Sequence, residues 1–199
     1  VGNHSNLSIW LDANDTSCFS LSGTNITSWS NKAGTSYNFD QKVGDPARIT
    51  RNGLSYMEVD GNDRIWTDSS FTSKNYSVVS LSRQNGGTNN VLIASDTNWY
   101  FGYHGGRYNR FFMGSWIIGS GTNSNADWHI HSTTQNEFDQ VSIWHNSTNL
   151  VTDHPGSNNT TWWPGRIHFG GRSDGRDPSS GEIAEFLVWD TVISDIERL

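Results

Sequence analysis

Turn signals recur along this chain at short, near-regular intervals, and they leave no room for a long helix. Asn31-Lys32-Ala33-Gly34, Asn52-Gly53, Asp60-Gly61-Asn62-Asp63 and Gly105-Gly106 each supply residues that tolerate the positive φ of a tight turn. Between them lie short apolar, aromatic or alternating runs: residues 7–11, 26–29, 56–60, 76–83, 91–95, 128–134, 141–145, 167–170 and 183–189. Runs of this length bounded by turn residues read as strands. About ten such strands are what two packed antiparallel sheets require, so the expected class is an all-β sandwich. The spacing also predicts a loosely closed hairpin from residues 76–83 and 91–95. A second, aromatic hairpin is expected from residues 99–104 and 107–118 around Gly105-Gly106.

Composition narrows the function classes. Twenty glycines and ten tryptophans, against 33% hydrophobic residues, suit short strands joined by polar turns. A chain of 199 residues is expected to form one domain across residues 1–199 with a sizeable core. The formal net charge of −7, with only 13 Lys and Arg and no basic run, repels a phosphate backbone and argues against nucleic acid as a partner. No apolar run approaches the roughly 18 to 20 residues of a membrane helix, so membrane insertion is not expected. Cys18 is the lone cysteine, which rules out an intrachain disulfide and reads as a small, semi-buried apolar residue. Val1 is expected to begin an excised domain or a processed product of a larger protein.

The closing segment, GEIAEFLVWDTVISDIERL from Gly181, reads as a strand, a turn and a capped helical start. Ser194 stands three residues before Glu197, the capping-box spacing, so a short helical turn is expected at the C-terminus. With this segment, the opening Leu7-Ser8-Ile9-Trp10-Leu11-Asp12-Ala13-Asn14-Asp15, the Trp29-Ser30-Asn31-Lys32-Ala33-Gly34 turn, and the Asn52-Gly53 through Val59-Asp60-Gly61 segment occur in order. So do Trp128-His129-Ile130, Ile143-Trp144-His145-Asn146-Ser147 and Ile167-His168-Phe169-Gly170-Gly171. The series resembles the laminin-G-like, concanavalin A-like jelly-roll domains of large secreted or surface bacterial proteins. That resemblance implies a two-sheet antiparallel jelly roll whose first and last strands pair, and an extracellular or cell-surface location. It also implies a binding role more often than a catalytic one, and core positions for Trp10, Trp29, Trp128 and Trp189.

Catalytic signals are weak. Sandwich glycosidases of the laminarinase type carry Glu-x-Asp-x-Glu on one strand, because alternate side chains share a face. Glu58-Val59-Asp60-Gly61-Asn62 lacks the last acid and turns at Gly61. Glu182 and Glu185, three apart on a regular strand, are expected on opposite faces. His129 and His131 share a face and would need a third ligand such as His145 or Asp153 to hold a metal. No nucleophile elbow or phosphate loop is present, so a polysaccharide hydrolase or lyase is the least favoured reading.

The leading expectation is a non-catalytic carbohydrate-binding or adhesion module, with a structural or protein-interaction jelly roll as the alternative. Exposed aromatic faces stack on sugar rings while polar side chains take the hydroxyls. Trp99, Tyr103, His104, Arg107, Tyr108 and Arg110 cluster around the Gly105-Gly106 tip, and Trp162-Trp163 sit side by side in a Pro/Gly-bounded segment, so one of that pair is expected to be exposed. Trp99, Tyr103, His104, Arg107, Tyr108, Trp162 and Trp163 are therefore the expected ligand-binding residues, with a glycan or a protein as partner. No cofactor is required, although Asp174 and Asp177, in Asp174-Gly175-Arg176-Asp177, are weak candidates for Ca²⁺.

Overall fold

A computed structural model describes residues 6–86, 90–155 and 164–194. Strands β1 (Leu7–Asp12), β2 (Phe19–Ser22), β3 (Asn25–Trp29), β4 (Phe39–Val43), β5 (Ala47–Arg51), β6 (Leu54–Asp60) and β7 (Arg64–Thr67) open the chain. Next come β8 (Tyr76–Arg83), β9 (Ile93–Ser95), β10 (Trp99–Tyr100), β11 (Arg107–Tyr108), β12 (Phe111–Met113), β13 (Trp116–Ile118) and β14 (Thr122–Asn123). The series closes with β15 (His129–Gln135), β16 (Val141–His145), β17 (Thr148–His154), β18 (Ile167–Phe169) and β19 (Ser180–Trp189). The described residues contain one helical element, a single 3-10 turn at Thr16–Cys18, capped by the Asp15 carboxylate accepting from the Ser17 amide. The expected C-terminal capping box falls on Glu197 and lies outside the described residues.

Pairing follows two layers of an antiparallel jelly-roll-like sandwich. One runs β5-β6-β19-β8-β15-β16-β17, with β1 on the second half of β19. The other runs β2-β3-β4-β7-β18-β9-β10-β12-β13. The single pairing Asn25↔Ala47 joins them, and β11-β14 form a separate small ribbon. The first and last strands pair as expected, with Trp10 opposite Leu187 and Leu11 opposite Phe186.

The core lies between the layers. Ile9, Leu11, Met57, Val78, Ile143 and Phe186 meet Trp29, Phe39, Ile65, Phe101 and Phe169, all fully buried. Phe169 of β18 stacks on Phe39 at 4.6 Å and receives Phe186 of β19 edge-on at 5.2 Å, which locks one layer onto the other. Burying each such side chain contributes about 1.5–3 kcal/mol.

Two connectivity expectations are corrected. Strands β8 and β9 do not form a hairpin: β8 lies between β15 and β19, whereas β9 pairs with β10 and β18 in the other layer. The chain crosses between layers there, because both strands bury one face in the same core. The aromatic hairpin is also broken into pieces, since β10 pairs with β12 while β11 leaves for β14, and only a Tyr103↔Tyr108 bridge spans the tip.

Candidate binding site

Of the residues that the sequence groups as one ligand site, the structure buries two. Trp99 and Tyr103 are fully buried. The Trp99 Nε1 donates to Tyr76 Oη at 3.2 Å and its ring stacks on Phe101, while Tyr103 Oη donates to the Ser82 carbonyl at 2.8 Å. Both rings are thus core residues with no face for a ligand, because alternate residues Trp99, Phe101 and Tyr103 pack inward against β8 and β15. Tyr108 is half-buried and stacks on His129. His104 is half-buried beneath Trp116, Arg107 is exposed, and Trp162 and Trp163 lie outside the described residues.

The histidines do assemble. His131 and His145 are opposed across β15 and β16, and His129 Nδ1 lies 2.9 Å from His145 Nε2. Asn125 Oδ1 meets His129 Nε2 at 2.8 Å and Asn109 Oδ1 meets His131 Nε2 at 3.1 Å. Burial holds all three imidazoles below the ordinary histidine value. Among the described residues no group of three His, Cys, Asp or Glu side chains is arranged to hold a metal ion. Asp153 instead faces Ser142, and the Asp174 and Asp177 carboxylates are engaged by Arg176 and Arg172.

Because the histidines take the inner face of β15, the alternation puts Trp128 and Ile130 on the outer face. Trp128 is consequently half-buried, and so is Trp10, which the inward Ile9 and Leu11 turn outward on β1, whereas Trp29 and Trp189 are buried as expected. Trp10, Leu187, Val79, Ser132 and Trp144 pair laterally across five strands and so share this outer face.

At one end of the face lies an open depression of about 300 Å³, lined by Arg51, Asn52, Leu54, Tyr56, Arg83 and Trp128. The Asn52-Gly53 turn builds its rim. Asn52 at φ 53° and Gly53 at φ 82° close a two-residue loop with Arg51 opposite Leu54, so the hairpin tip stands beside Trp128. The Arg83 guanidinium carbon sits 4.8 Å over the Trp128 ring, and Tyr56 meets the same indole at 5.7 Å. Arg83 is itself fixed by Glu182 Oε2 at 2.7 Å and the Ala126 carbonyl at 3.1 Å. The depression therefore presents an indole held in place over the buried Tyr56 ring, with a guanidinium and an amide around it. No sequence pattern joined this group, because its members come from the Asn52-Gly53 turn, from β5, β6 and β8, and from Trp128 just before β15. The inward histidines beside Trp128 were the one available clue.

Carboxylates border the same place. Glu58 lies opposite Glu182, and burial followed by the Glu182 charge raises the Glu58 carboxyl above the usual carboxylate range. The expectation that Glu182 and Glu185 face opposite ways is corrected. A bulge between Ile183 and Glu185 inserts one residue, so Glu182 lies opposite Arg83 and Glu185 opposite Leu81, both on the outer face. Glu182 is held by Arg83 and by Asn85 Nδ2 at 3.2 Å, and Glu185 accepts from Trp10 Nε1 at 3.0 Å.

No protein-family model and no curated protein matches the chain. Solved structures do match in fold. Domain 4 of AbnA, a GH43 extracellular arabinanase from Geobacillus stearothermophilus, in complex with arabinotriose, aligns with a TM-score of 0.66 at 13% identity, over 97% of this chain and 96% of that one. Botulinum neurotoxin type C, whose cell entry depends upon interaction with two ganglioside molecules, aligns at 0.63 with 14% identity over 98% of this chain and 50% of the matched chain. Trypanosoma rangeli sialidase in complex with sialic acid aligns at 0.65 with 10% identity, over 98% of this chain and 32% of that chain. The chain thus spans nearly all of the first, half of the second and a third of the last, and the likeness is one of fold.

Proposed function

We propose that this is a non-catalytic glycan-binding module, of the kind found in secreted or surface proteins, and that a sugar enters the depression beside Trp128. The observation that carries the reading is the immobilised indole at an open polar depression: Trp128 is braced by Arg83 and Tyr56, and Arg51 and Asn52 stand at the rim. A pyranose or furanose presents C–H bonds to an aromatic face and hydroxyls to amide and guanidinium groups, so this set matches both halves of its surface. Bracing before binding removes the ordering cost that otherwise offsets weak contacts. The fold match to an arabinanase domain in complex with arabinotriose supports the reading, and the laminin-G-like motif series is compatible with it.

The test is calorimetric titration of arabino- and gluco-oligosaccharides, chosen from hits on a glycan array, into the wild-type domain and Trp128→Ala. A saccharide that binds the wild type and loses about 1–3 kcal/mol on Trp128→Ala supports the site. Absence of any array hit, or affinity unchanged in Trp128→Ala, overturns it and leaves a protein-interaction domain as the better reading.

A further inference from the structure

The other layer carries a second aromatic group with different electrostatics. On β12-β13, Trp116 is 38% exposed and rests on Tyr100, His104 and Phe112, with ring centroids 6.4, 5.1 and 5.1 Å away. The Arg110 guanidinium carbon lies 4.0 Å over the Trp116 ring. Its Nη1 contacts His104 Nδ1 at 3.3 Å and donates to the His104 carbonyl at 3.4 Å, while its buried Nε finds no hydrogen-bond partner. Gly121, at φ +57°, makes room for the stem, since a Cβ there would stand 2.5 Å from Arg110 Cγ. Arg107 is exposed on the same segment, donating to the Ser120 carbonyl at 2.6 Å, and its charge and that of Arg110 repel one another.

Among the described residues, six other cations of this acidic chain, Lys32, Lys42, Arg83, Arg166, Arg172 and Arg176, are ion-paired, while Arg48 and Arg64 are instead engaged by carbonyls or a hydroxyl. Lys32 pairs with Asp12, Arg83 with Glu182, Arg166 with Asp96, Arg172 with Asp177 and Arg176 with Asp174. Among the described residues no carboxylate lies within ion-pair distance of Arg107 or Arg110. Two neighbouring guanidiniums left without a counter-ion beside an exposed indole form an anion site with a stacking platform attached.

We propose that the Trp116 edge is a second glycan site, distinct from the Trp128 depression, that takes a saccharide bearing an anionic group. The sugar ring stacks on Trp116, and the anion, a uronate carboxylate or a sulfate ester, lies against Arg107 and Arg110. Guanidinium groups match both anions through paired N–H donors, and an anion there relieves the repulsion between the two arginines. The Trp128 depression has Glu58 and Glu182 on its border, so a negative charge is disfavoured there and the two sites separate by ligand charge.

The test titrates three matched oligosaccharides, neutral, uronate-containing and sulfated, into the wild type, Arg107→Gln, the double variant Arg107→Gln/Arg110→Gln, and Trp128→Ala. Arg107 is exposed, so its single variant keeps the test valid if the double variant loses stability in a thermal melt. The expected result is that Arg107→Gln weakens an acidic saccharide measurably and the double variant by about tenfold or more, with affinity falling as salt rises. Trp128→Ala leaves that binding intact. Retention of only the uronate or only the sulfated ligand by the wild type identifies the anion. Equal affinity for neutral and acidic ligands, or acidic binding indifferent to Arg107→Gln and to the double variant, overturns the proposal. Loss of neutral binding in Trp128→Ala bears on the first site alone.

Discussion

Tyr108 lies flat on His129, with ring centroids 4.2 Å apart and planes 19° from parallel, and this stack fastens the small β11-β14 ribbon to the main sandwich. The fastening depends on neutral imidazoles. His129 shares a hydrogen bond with His145, and a proton on both facing nitrogens would set two donors against each other.

Acid is therefore expected to destabilise the fold. Burial lowers His129, His131 and His145, and holds His168 down to about 4. A histidine whose folded value is depressed stabilises the protein above its unfolded pKa near 6.5, and that contribution is lost as pH falls toward the folded value, because the unfolded chain takes the proton first. For His168 the full effect is on the order of 3 kcal/mol. Thermal melts should hold from pH 8 to 7 and fall from about pH 6.5 to 4. His168→Phe, which keeps a ring against Trp66, should flatten part of that slope. The wild-type-minus-variant difference isolates this term from Glu58 and Glu185, whose burial-raised carboxyls act in the opposite sense. A slope identical in both proteins would refute the assignment to His168.

Trp99 and Trp128 should respond differently to the same change. Trp99 is fully buried and bonded to Tyr76, so Trp99→Ala should cost about 3–5 kcal/mol in urea unfolding. Trp128→Ala removes a half-buried ring and should cost about 1 kcal/mol while acting on ligand affinity. Equal losses of stability would mean that Trp128 is part of the core.

Asn31 ties the opening strand to its neighbouring turn. Its Oδ1 accepts from the Trp10 and Ala33 amides, and its Nδ2 donates to the Ser8 carbonyl at 2.8 Å. Asn31→Ala should destabilise the protein by about 1–3 kcal/mol, because the Trp10 amide loses its acceptor and the Ser8 carbonyl keeps only the Thr35 hydroxyl. A change below about 0.5 kcal/mol in denaturant midpoint analysis would show that water replaces the side chain freely.

Incubation with arabinan or β-glucans should release no reducing ends. Glu182, opposite Glu58, is held by Arg83 and Asn85, and Asp60 accepts from the Asn62 amide, so the acids that act on Glu58 are committed to structural partners. Sustained release that disappears in Glu58→Gln would make this face an active site.

The amino-acid sequence alone determined the all-β class and the Asn52-Gly53 turn, because turn residues and period-two runs are local and each acts within a few neighbours, while the pairing of the first and last strands was implied by the resemblance of the motif series. The same resemblance implied core positions for Trp10, Trp29, Trp128 and Trp189, of which Trp29 and Trp189 are interior. Which face a run presents, and which layer a strand joins, were decided only by the tertiary structure. His129 and His131 point inward and Trp128 outward because the interior there contains Tyr103 and Ser82 and is closed over by Asn109 and Asn125, which give polar rings partners. Glu182 and Glu185 share a face because one bulged residue shifts the alternation, a change of register that no periodicity records. Trp99 and Tyr103 were drawn into the core by contacts with β8, while Arg51, Tyr56, Arg83 and Trp128 converged from distant positions. Such a group exists only once the sheet is assembled, since cross-strand neighbours are set by long-range pairing.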